Sequence, residues 1–115
     1  MEWISKSNIL IVGLGLIGGS YAKALKRLGY HISAIDKNKD SINYALNEGI
    51  IDEGSTVVSS SIVSNADAVI FGLYPGVFKK WIHDNQHFFK SGALLTDVTG
   101  VKNLCGIRGS EYASI

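Results

Sequence analysis

Short, almost uninterrupted apolar runs alternate along this chain with stretches in which apolar residues recur every three or four positions. Asn8 to Val12 is one such run closed by glycine, the pattern of a central strand buried on both faces. From Ile17 the period changes. Ile17, Tyr21, Ala24, Leu25 and Leu28 fall on one helical stripe, Lys23, Lys26 and Arg27 point elsewhere, and Gly29 supplies the stop common just past a helix end. His31 to Asp36 predicts a second strand. Asp40 to Glu48 predicts a second helix, with Ile42, Ala45 and Leu46 on one face and Gly49 behind it. A short third strand is expected near Thr56-Val57-Val58, followed by a polar turn or one helical turn. Ala68 to Phe71 reads as a buried strand closed by Gly72, and Val77, Phe78, Trp81, Ile82 and Asn85 mark a further helix. Ala93 to Thr96 predicts another strand, ending at Asp97. Strands alternating with helices imply βαβ units, and right-handed crossovers between them give an α/β fold with an open, doubly wound, mostly parallel sheet.

Composition narrows the partners. The chain has 115 residues, 46% hydrophobic and 18% charged, the balance of one folded domain. Its 11 Lys and Arg against 10 Asp and Glu leave a formal charge of +1, with no basic footprint for nucleic acid. The longest apolar runs fall far short of the roughly 20 residues that span a bilayer, so no membrane segment is expected. The start, Met1-Glu2-Trp3-Ile4-Ser5-Lys6, does not read as a signal peptide. With Cys105 as the lone cysteine, an internal disulfide is excluded, and a cytoplasmic location is the expectation.

The chemistry concentrates at Gly13-Leu14-Gly15-Leu16-Ile17-Gly18. A G-x-G-x-x-G pattern by itself is weak. Here it follows a strand, opens a helix and lies within a βαβ unit, the context of a Rossmann-type dinucleotide site. Gly13 would allow the tight turn, Gly15 the approach of a pyrophosphate, and Gly18 close packing of helix on strand. The free N–H groups at the helix mouth, around Leu16 and Ile17, would receive the phosphates. Asp36 ends the second strand about 20 residues further on, where a carboxylate binds a ribose hydroxyl. Its charge should repel a 2′-phosphate and favour NAD. Lys37 and Lys39 nearby keep NADP open. Otherwise Asp36 is a solvated turn residue or a cap for the following helix. Open α/β sheets place ligands at the carboxyl ends of strands, which brings in Leu73, Tyr74 and Pro75 after one strand and Thr99 and Lys102 after the next. The bland reading of these positions is an ordinary turn with a surface lysine.

Other candidates read as structural. His31, His83 and His87 lack metal-ligand spacing, so no metal site is expected. Trp81, Phe78, Phe88 and Phe89 read as core, and Cys105 as a small apolar filler. Sequence alone leaves several classes open: an oxidoreductase domain, a ligand-sensing module binding NAD(H) without chemistry, and a methyltransferase. The full Gly13 to Ser20 block suits a pyrophosphate better than S-adenosylmethionine.

Gly13 to Ser20, Ala34-Ile35-Asp36, Gly49 to Gly54, Ala68 to Pro75 and Leu95 to Lys102 together resemble the opening of prephenate/arogenate dehydrogenases. The first block alone is shared with β-hydroxyacid and pyrroline-carboxylate reductase types, which usually differ at Asp97 to Lys102. The resemblance implies an NAD(P)-binding domain over residues 1–102 of an enzyme of tyrosine biosynthesis. That enzyme oxidatively decarboxylates prephenate or arogenate, passing a hydride to C4 of the nicotinamide and losing the ring carboxylate as CO2. Many members carry a serine just before the Val-Lys pair. Here that place is Gly100, leaving Thr99 as the candidate contact and the catalytic residues otherwise unassigned. The family's His-Pro motif has no counterpart, and its substrate-binding arginine and helical dimerisation domain come later still. Residues 103–115 do not match the family. The resemblance therefore implies a fragment, inactive by itself, of a parent that forms a homodimer and takes a small-molecule substrate.

Overall fold

The computed structural model describes residues 7–97 and 111–114. The elements run β1 (Asn8–Val12), α1 (Leu16–Arg27), β2 (His31–Ile35), α2 (Lys39–Asn47), β3 (Glu53–Ser55), α3 (Ser60–Asn65) and β4 (Ala68–Phe71). They continue with α4 (Pro75–Asn85), a 3-10 turn (Gln86–Phe88), β5 (Leu94–Asp97) and β6 (Glu111–Ser114). Every ladder is parallel, and the strand order is β3-β2-β1-β4-β5-β6. The winding reverses between β1 and β4, so a crevice opens at their carboxyl ends, where doubly wound sheets bind ligands.

Alternation along the strands sorts the core into two layers. Ile9 and Ile11 of β1, Ile32 and Ala34 of β2, and Ala68 and Ile70 of β4 meet Ala22 of α1 and Ile42 and Ala45 of α2 on one face. Leu10 and Val12, Ile35, Val69 and Phe71 meet Ile62 and Val63 of α3 and Phe78 and Ile82 of α4 on the other. Strands covered on both faces are why the sequence shows continuous apolar runs rather than a polar alternation.

The strands and helices expected around β1, β2, α2, β4, α4 and β5 are present within a residue or two at their ends. Three readings need correction. The inward stripe of α1 is Gly18, Ala22 and Leu25 with Tyr21 beside it, whereas Ile17 is 51% exposed and Leu28 65% exposed, with Ala24 also outward. The helix turns its smallest residues toward the sheet because close approach there outweighs the side-chain area lost at Ile17. A Cβ on Gly18 would lie 1.9 Å from the Gly13 carbonyl oxygen. Leu46 of α2 is likewise exposed rather than inward. The third strand is Glu53–Ser55, not Thr56 to Val58. It is defined by backbone pairing with Ser33 to Ile35, and Gly54 fits because a Cβ there would crowd Ile42 at 2.8 Å. Side-chain preference is a poor guide to such an edge. The stretch after it forms a short helix, α3, capped by the Ser59 hydroxyl. Beyond these, residues 111–114 form β6 against β5, an element the sequence pattern did not assign.

At the amino ends of the strands, two carboxylates clip the sheet together. Asp52 accepts the Ile32 N–H at 2.9 Å and pairs with Lys26, and Asp67 accepts the Asn8 N–H at 2.8 Å and pairs with Lys90. Burial works to raise the pKa of each. The lysine hydrogen bonds, the strand N–H groups and the lysine charges outweigh it, so both carboxyls lie below their ordinary value.

Candidate functional site

Three strand ends build the site. β1 runs into Gly13, whose φ of +94° belongs to the left-handed region that glycine tolerates. The turn also brings Gly13 against the loop after β4, where a Cβ would meet the Gly72 carbonyl oxygen at 2.8 Å. The chain then enters α1 through Gly15, which has extended backbone, no side-chain cap and no acid in the first helical turn. The first N–H groups of a 12-residue helix are thereby left for another partner. Space above Gly15 is open, with nothing within 4 Å of a built Cβ. Free donors, the positive end of a helix dipole and an unobstructed approach make an anion site of this mouth.

Asp36 stands one residue past β2, half-buried, with its carboxylate turned toward the glycine loop. Oδ2 accepts the Leu14 N–H at 2.6 Å and Oδ1 accepts the Asn38 N–H at 2.8 Å. Each oxygen keeps a lone pair for a further donor such as a sugar hydroxyl. Asn38 in turn caps α2, its side-chain oxygen receiving the N–H groups of Asp40 and Ser41. The helix-cap alternative for Asp36 is thus filled by Asn38. Lys37 lies beside the carboxylate and lines the same space.

That space is a cleft of about 500 Å³, within the usual range for a small-ligand site. Val12, Gly13, Ile35 and Asp36 form its floor at the strand ends. Thr56, Val57 and Val58 close one side, and Leu73, Val77 and Trp81 the other. Val57 is 68% exposed on the rim. Trp81 is half-buried, edge-on to Phe71 at 5.3 Å, so its ring is anchored in the core while one side looks into the cleft. Apolar residues dominate the lining, and Asp36, Lys37 and Thr56 supply its polar side chains, the mixture expected of a small-ligand site.

The structure therefore brings together Gly13, Asp36 and Leu73 among the residues singled out from sequence, with Gly15 at the adjoining helix mouth. Gly18 serves the packing of α1. Leu16 begins α1 and Ile17 follows, so their backbones lie at its mouth. Tyr74 is 83% exposed and precedes α4, which Pro75 starts. Thr99 and Lys102 lie outside the described residues. Sequence reasoning missed Val57 and Val58, read as strand, and Val77 and Trp81, read only as helix packing. Their shared wall exists only once α4 and the segment after β3 are folded together. Among the described residues no cluster of His, Cys, Asp or Glu is arranged to hold a metal, and no helix is long and apolar enough to cross a membrane.

A parallel doubly wound sheet, a glycine turn into an uncapped helix and a strand-end carboxylate define a nucleotide-binding α/β domain. Residues 21–106 match the family described as "Prephenate dehydrogenase, nucleotide-binding domain", and the chain belongs to that family. The glycine turn lies just ahead of the matched span. The prephenate dehydrogenase of Lactococcus lactis is 31% identical over 98 residues, covering 84% of this chain and 27% of that protein. Its counterpart in Bacillus subtilis is 39% identical over 67 residues, covering 56% of this chain and 18% of that protein. Among solved structures, prephenate dehydrogenase of Aquifex aeolicus in complex with hydroxyphenyl propionate and NAD+ superposes with a TM-score of 0.72 at 36% identity. It is matched over 84% of this chain and 34% of that one. The chain thus spans about a third or less of the relatives it matches.

Proposed function

We propose that this chain is the cofactor domain of an NAD-dependent dehydrogenase that oxidatively decarboxylates prephenate or arogenate. The observation that carries the reading is the Asp36 carboxylate bound to the Leu14 N–H of the glycine turn, with Gly13 and Asp36 lining one cleft and the uncapped mouth of α1 following directly at Gly15. In this reading the N–H groups of Leu16 and Ile17 hold the pyrophosphate, Asp36 takes the adenosine sugar, and the base lies between Val57 and Val77. We assign the nicotinamide end to the positions Leu73, Tyr74, Pro75 and Thr99. NAD, when bound, supplies the hydride acceptor. The chain's own residues bind it, orient it and keep its adenosine half out of water. The carboxylate at Asp36 disfavours a 2′-phosphate, with Lys37 alongside tempering the repulsion. The parent enzyme in this reading is cytoplasmic and homodimeric, and substrate-binding groups come from polypeptide beyond this domain.

Calorimetric titration with NADH, with NADPH as competitor, tests the binding half. Saturable NADH binding stronger than that of NADPH is expected, and no binding of either removes the assignment. Absorbance at 340 nm with prephenate or arogenate and NAD tests the other half. No turnover by this chain alone is expected; steady NADH production would show that it carries a complete active site.

A further inference from the structure

Asp36 does more in this structure than wait for a sugar. Both of its oxygens already accept backbone N–H groups, from Leu14 inside the glycine turn and from Asn38 at the start of α2. Two strand-end hydrogen bonds lie on either side of the same junction, Gly13 N–H to the Ile35 carbonyl at 2.9 Å and Asp36 N–H to the Ser55 carbonyl at 3.1 Å. The end of β2 is therefore tied to the glycine turn, to the α2 cap and to β3 at once. Leu14 rests partly on the core, but Gly13 holds a left-handed conformation and Gly15 has open space above it, so hydrogen bonds must help fix the backbone of the turn. Charge-assisted hydrogen bonds accepted by a carboxylate are the stronger kind and suit this role.

We infer that Asp36 is a positioning residue for the phosphate-binding turn: through Leu14 it holds the glycine loop in its anion-receiving form, independently of any contact with a sugar. The inference rests on the nucleotide-binding reading above and deepens it. It also reverses an electrostatic expectation. A carboxylate near an anion site should weaken anion binding by repulsion, so removing an acid that only touches sugar should leave a sugar-free anion bound as well as before or better. Removing a brace should weaken it.

The test uses inorganic pyrophosphate, which has no sugar, alongside NADH, on the full chain and on its Asp36→Ala and Asp36→Asn variants. Asp36→Ala is expected to lower pyrophosphate affinity about tenfold and to speed amide exchange at Leu14 about tenfold, in line with loss of one charge-assisted hydrogen bond. Asp36→Asn keeps an oxygen for the Leu14 N–H and should recover most of both. Pyrophosphate affinity that is equal or higher in Asp36→Ala, with Leu14 exchange unchanged, overturns the inference while leaving the nucleotide reading intact, provided NADH binding falls. Failure of the unsubstituted chain to bind NADH overturns that reading instead. Should Asp36→Ala not fold, exchange at Leu14 in the unsubstituted, ligand-free chain decides: protection of tenfold or more supports the brace, and unprotected exchange rejects it.

Discussion

Gly15 and Gly18 sit three residues apart in the same motif and have opposite physical reasons for lacking a side chain. At Gly18 the reason is internal. A methyl group would lie 1.9 Å from the Gly13 carbonyl oxygen, so α1 must move away from β1. Gly18→Ala should cost about 3 kcal/mol or more in urea unfolding, the upper range of overpacking. At Gly15 the reason is external, because nothing in the fold occupies the space. Gly15→Val should therefore leave the unfolding midpoint almost unchanged and weaken NADH at least tenfold in calorimetry. Equal destabilisation by the two substitutions would remove the distinction. Both glycines were legible in sequence as one motif; which of them faces the ligand was legible only through the spacing rule, and the contact distances supply the physical cause.

At the scale of elements, the helices hang on small polar devices. α2 is capped by Asn38, and Asn38→Ala should cost about 1 kcal/mol of stability by denaturant melt, the ordinary value of a cap. The strand starts depend on Asp52 and Asp67. Their folded-state pKa values lie below the ordinary aspartate value of 3.8, so the stability they contribute is fully present above that pH. It is lost as pH falls below 3.8 through the depressed folded-state values. Urea midpoints measured from pH 6 to pH 2 should fall in that acid window, and an Asp52→Asn, Asp67→Asn double variant should be less stable at pH 6 with a shallower acid decline. The sequence shows both aspartates and both lysines, yet nothing in it pairs Lys26 with Asp52 or Lys90 with Asp67. The pairs form where a helix end and a neighbouring strand start are brought level by the sheet register.

For the molecule as a whole, a ligand that binds only the folded chain raises its melting temperature by mass action. NADH at a hundredfold excess over its dissociation constant should add about 2.7 kcal/mol, or roughly 10–20 °C for a domain near 100 residues. A thermal shift absent at saturation would speak against the cleft as the binding site. The sequence by itself pointed to the parallel doubly wound sheet, because unbroken apolar runs, the mark of strands buried on both faces, alternate with helical stretches that can cover them. It also determined the glycine turn and the strand-end acid, whose spacing follows from one βαβ unit. Tertiary structure alone decided which face of α1 turns inward, that β3 falls at Glu53–Ser55, and that residues 111–114 extend the sheet. It likewise decided that Val57, Val77 and Trp81 share a wall with Asp36. These are properties of close approach and of backbone pairing between distant segments, and neither leaves a periodic mark on the residues that make them.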